Sequence, residues 1–75
     1  MKNFEVIIAD VPDREGLVAE IWYKGLMITE LNYDDDHLQL DLYTSNNKIS
    51  FAYIDFLQAL ESAKEKLSPS TRESR

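Results

Sequence analysis

Residues 17–43 read LVAEIWYKGLMITELNYDDDHLQLDLY, and this stretch decides the fold. Three apolar-rich segments are separated by two turn signals, Lys24-Gly25 and Asp34-Asp35-Asp36. Gly25 supplies the positive φ that a two-residue hairpin turn needs. Aspartate bonds its own backbone and tolerates turn dihedrals. The spacing therefore predicts three strands in a meander, over residues 17–23, 27–33 and 37–43. The first is apolar on both parities and interrupted only by Glu20, the pattern of a central strand covered on both sides. The last alternates cleanly, with Leu38, Leu40 and Leu42 set against His37, Gln39, Asp41 and Tyr43.

Upstream of this stretch, Phe4, Val6 and Ile8 recur at a period of two and predict a strand over residues 4–9. Pro12 and Gly16 mark the loop that follows it. Beyond the meander, Ser45-Asn46-Asn47-Lys48 reads as a turn and residues 49–51 as a short fifth strand at an edge. Tyr53, Phe56, Leu57, Leu60, Ala63 and Leu67 recur at three- and four-residue spacing, which predicts one amphipathic helix over residues 52–67. Ser50 is the expected N-cap. Asp55 near the start and Lys64 and Lys66 near the end suit the helix dipole, and Pro69 closes the helix. The predicted fold is α+β: a four- to five-stranded antiparallel meander sheet with one C-terminal helix packed on one face. Residues 1–67 form a single small domain, and residues 68–75 a flexible polar tail.

The helix covers one face of such a sheet, and register decides which. An even number of residues in the acidic turn sets Leu38, Leu40 and Leu42 beside Trp22, Met27, Thr29 and Leu31. An odd number sets them beside Ile21, Leu26, Ile28 and Glu30, and buries Glu30 among leucines. The even register avoids that cost and predicts a core of Trp22, Met27, Leu31 and the three leucines. Ile21, Tyr23, Leu26, Ile28 and Tyr43 then lie together on the uncovered face, beside Glu30, His37, Gln39 and Asp41. An apolar patch with a polar rim marks an interaction surface, so these five residues are the expected partner-binding or dimer face.

Composition narrows the function classes. A chain of 75 residues is one domain with a modest stability margin. There are no cysteines, so neither a disulfide framework nor a thiolate metal site is possible. The start has no long apolar run after its lysine, and no segment approaches a membrane span, which points to a soluble, cytoplasmic protein. The formal net charge is −6, from 14 acidic and 8 basic residues, with no basic stripe for phosphate backbones. Nucleic-acid binding is not expected. The tyrosines and Trp22 could form a base-stacking platform, but their neighbours Glu20, Glu30 and Asp41 carry the wrong charge.

No catalytic constellation is legible. His37 is the sole histidine, and its neighbour Asp36 would point to the opposite face of a strand. The chain has two glycines, too few to wrap a phosphate with backbone amides. The aspartate triplet reads as a solvated turn rather than a cation loop, which needs several oxygens converging on one point. The expectation is thus no catalytic residue, no metal, no cofactor and no evident small-molecule substrate. The function expected is a non-enzymatic protein-binding module of the inhibitor, immunity or adaptor type, acting through the tyrosine-bearing sheet face. The alternative is a homo-oligomeric structural domain whose second sheet face is its dimer interface.

Overall fold

Alternating apolar and polar residues extend the backbone into four strands in the computed structural model, which describes residues 2–10, 16–43 and 47–67. They are β1 (Phe4–Asp10), β2 (Leu17–Tyr23), β3 (Leu26–Asp34) and β4 (His37–Leu42). The strands pair antiparallel in chain order, and one helix, α1 (Tyr53–Lys66), packs on β1 and β2. The α+β class, the meander and the single helix are as the sequence predicts. No fifth strand forms at residues 49–51. Pro12, Pro69 and the tail 68–75 lie outside the described residues, as do Ser45 and Asn46 of the turn expected at 45–48.

Both tight turns follow from their residues. β2 and β3 join through Lys24 and Gly25, with φ of 49° and 82°. Two successive positive φ values give the hairpin turn whose twist matches that of the strands it joins. β3 and β4 join through Asp35 and Asp36, with Asp34 opposite His37 and Asp35 at φ 58°. The acidic turn is therefore even, as the cost of burying Glu30 among leucines suggests. Leu38, Leu40 and Leu42 lie opposite Tyr33, Leu31 and Thr29.

The core nevertheless differs from the one expected, because β3 carries a bulge. Tyr23 pairs with Leu26 and Trp22 with Met27, but Ile21 then pairs with Thr29, so Ile28 is the extra residue. A bulged residue shifts the alternation of every side chain beyond it. Ile28 and Leu31 have opposite parity in an unbroken strand, yet both are buried in one cluster with Phe4, Ala19 and Ile21. The bulge makes this possible. It brings Leu31 opposite Ala19 and turns Glu30 to the other face, opposite Glu20. In an unbroken register Glu30 would sit opposite Ala19, inside the core. Trp22 and Met27 are thereby removed from the core, and Ile21, Tyr23 and Ile28 are brought into it. Thr29, next to the bulge, is fully buried, and its hydroxyl donates to the Asp41 carbonyl at 2.7 Å.

The helix presents its small residues to the sheet. Ala59 and Ala63 are completely buried, with Leu67 beside them and Phe56 and Leu60 flanking. Tyr53, expected in the stripe, is 76% exposed. Ala52, not Ser50, occupies the N-cap position, and its own side chain makes no capping bond. Asp55 does lie in the first turn, and Lys64 and Lys66 in the last. The segment before the helix is held by an aromatic cluster. Phe51 lies 5.2 Å from Phe4, 5.0 Å from Tyr23 and 5.0 Å from Phe56, centroid to centroid.

Candidate functional site: the two sheet faces and the β4 edge

The outer face, away from the helix, carries a row of acids. Glu20 pairs across to Glu30, and Glu30 across to Asp41, so three carboxylates line up over β2, β3 and β4. Such a row is stable only where donors hold it. The Trp22 indole Nε1 donates to Glu20 at 3.1 Å. The Asn32 amide donates both to Glu30 at 2.9 Å and to Asp41 at 3.0 Å. The Tyr43 hydroxyl donates to Glu30 at 3.2 Å, and the Gln39 amide to Asp41 at 3.3 Å. One atom of the network, the buried Asn32 Oδ1, has no hydrogen-bond partner among the described residues. Among the described residues no group of three or more acids or histidines is arranged to hold a metal ion. Chemically, this face is a network of fixed, hydrogen-bonded carboxylates.

The inner face is only partly covered. A helix is about 10 Å across, and strands are about 4.8 Å apart, so one helix along the strands covers about two of them. Here α1 takes β1 and β2. The β4 half of the same face keeps Leu38, Leu40 and Leu42 exposed, at 37%, 43% and 63%. Leu26, at the end of β3, is exposed as well. These leucines belong to the expected core in the sequence reading; the narrowness of a single helix leaves them outside it.

β4 is also an edge of the sheet among the described residues. The two-residue turn makes Asp34 and His37 a hydrogen-bonded pair, and such pairs then alternate along the hairpin. The Tyr43 amide donates to the Ile28 carbonyl at 2.9 Å, which continues that alternation. Residues 37, 39, 41 and 43 thus turn their backbone groups toward β3. Leu38, Leu40 and Leu42 turn theirs outward, so among the described residues the exposed leucines also carry the unpaired amides and carbonyls of the edge. β4 contains neither lysine nor proline, two common guards of an open edge.

The five residues expected to form a partner face are divided by the structure. Ile21 and Ile28 are buried in the core cluster that also holds Ala59 and Ala63, and Tyr23 is half-buried against Phe4 and Phe51. These three are core, and the bulge is the reason. Leu26 is exposed but lies on the inner face, opposite Tyr23. Tyr43 is exposed and bonded to Glu30 on the outer face. His37 is exposed at the start of β4, beside the exposed Asp35 and Asp36. The surface that sequence reasoning missed is Leu38, Leu40 and Leu42. Its signal was present in the alternation of β4 and in the presence of one helix for four strands.

Comparison with protein-family models, with curated proteins and with solved structures finds no match to this chain. Among the described residues no helix is long and apolar enough to cross a membrane.

Proposed function

We propose that this chain is a non-enzymatic protein-binding module whose docking element is the open edge of β4. The observation that carries this reading is the coincidence of two features in Leu38, Leu40 and Leu42. Their side chains form an exposed apolar stripe, and their backbone groups lie at the side of the strand that no other described strand pairs. An added strand gains main-chain hydrogen bonds from such an edge, and side-chain contacts from the alternate positions beside it. An edge of this kind serves an inhibitor, immunity or adaptor protein and a homo-oligomer alike. A cytoplasmic location belongs to the same reading, supported by a cysteine-free chain that suits a reducing compartment.

The test compares the size of the native assembly for two surface variants. Leu40→Lys changes the stripe, and Ile7→Lys changes an exposed residue on the outer face of β1. In extracts of the native cell, size-exclusion chromatography should show the chain in a larger species for the wild type and Ile7→Lys. Leu40→Lys should release it to the mass of a single chain. If Leu40→Lys leaves the species intact, the β4 edge is not the docking element.

A further inference from the structure

We propose that the strand which docks on β4 is β4 of a second copy, paired antiparallel about a two-fold axis at Leu40. This rests on the reading of the β4 edge given above and names its partner. The strand is complementary to itself. Residues 38–42 read Leu-Gln-Leu-Asp-Leu, nearly the same in both directions. Antiparallel pairing about Leu40 sets Leu38 opposite Leu42 of the copy and Leu40 opposite its own counterpart. Gln39 then lies opposite Asp41 of the copy, and His37 opposite Tyr43.

Backbone and side chains agree on this register. The outward-facing groups belong to Leu38, Leu40 and Leu42, so each leucine pair becomes a hydrogen-bonded pair that exchanges two bonds. Centring the axis on Gln39 instead would carry Leu42 past the strand to a turn residue and lose pairs. On the inner face leucine packs on leucine as cross-strand neighbours. On the outer face no two like charges meet. A carboxamide faces a carboxylate, the combination already seen within one chain, where the Gln39 amide donates to Asp41. An isologous contact requires this kind of self-matching surface. β1, the opposite edge, offers less, since its inner residues Phe4, Val6 and Ile8 already pack in the core under the helix. Pairing at β4 joins two four-stranded sheets into one, with the leucines of both copies forming a single floor between the two helices.

Cysteine trapping tests the register, because the chain has no cysteine of its own. Hydrogen-bonded partners lie about 5.5 Å apart between Cα atoms, within the span of about 4.4–6.8 Å that a disulfide bridges. Leu40→Cys should therefore oxidise readily to a covalent dimer. Leu38→Cys should not, since its counterpart lies four residues along the strand, about 13 Å away. Leu40→Lys, which sets two ammonium groups face to face, should weaken self-association about 100-fold or more by sedimentation equilibrium. Equal cross-linking of Leu38→Cys and Leu40→Cys overturns the proposal, as does a dimer that Leu40→Lys leaves unchanged. Amide exchange on the wild-type chain separates the remaining failures. A monomer with fast exchange at Leu38, Leu40 and Leu42 has an open edge, which overturns the second copy and leaves the docking element standing. A monomer with slow exchange there has its edge filled from within, which overturns both.

Discussion

At the level of single residues, Ile28 and Leu40 exchange the roles that alternation assigns them. Ile28 is 7% exposed inside the core, while Leu40 is 43% exposed on the open half of the sheet. A lysine at Ile28 would place an ammonium group among Ile21, Leu31 and Ala19, where nothing described pairs with it. Burial of an unpaired charge costs more than a small domain has to spare. Ile28→Lys should therefore abolish the cooperative unfolding transition in urea. Leu40→Lys keeps its head group in water and should cost less than about 1 kcal/mol by the same measurement. Much of the side-chain pattern was legible. The two hairpins and the pairs Tyr23–Leu26 and Trp22–Met27 follow from Gly25 and from counting residues. The faces were not, since one extra residue at Ile28 inverts everything after it.

Among the elements, the helix is the one whose contacts depend on residue size. Ala59 and Ala63 are fully buried and let the helix lie close on β1 and β2. Ala59→Leu would force the helix away from the sheet, at a cost of about 1–3 kcal/mol in chemical denaturation. Its start has room for improvement. Ala52 sits at the N-cap with extended φ and ψ of −68° and 132°, and its methyl side chain cannot accept from the first turn. Ala52→Asp should add about 0.5–1 kcal/mol, read as a raised melting temperature, with the helix dipole contributing in the same direction. The helix limits and its terminal charges were readable from periodicity. The dominance of Ala59 was not, because an alanine carries no signal of its own in an apolar stripe. Its burial follows from how closely the sheet approaches.

For the whole molecule, stability is expected to fall from the middle of the sheet to the β4 edge. β2 and β3 are hydrogen-bonded on both sides, and the helix packs over β1 and β2. In the Leu40→Lys chain, held as a monomer, amide exchange by NMR should be slowest in β2 and β3. Along β4 it should alternate, with Gln39 and Asp41 protected by β3 and Leu38 and Leu42 exchanging rapidly. Uniform protection of β4 would show that another part of the chain pairs with it.

The sequence alone determined the local structure of this protein: which segments extend, where the chain turns back, and where the helix runs. Those features depend on residue periodicity, turn chemistry and propensity, which are properties of neighbours along the chain. Tertiary structure decided which face is inside. Ile21, Ile28 and Leu31 reach one core only through a bulge, and the bulge exists because it takes Glu30 out of that core and into reach of Asn32 and Tyr43. That exchange compares the burial of residues on different strands and is invisible to the pattern of any one of them. The open leucine stripe has the same origin. Leu38, Leu40 and Leu42 read as core by alternation, and they are exposed because one helix is too narrow to cover four strands.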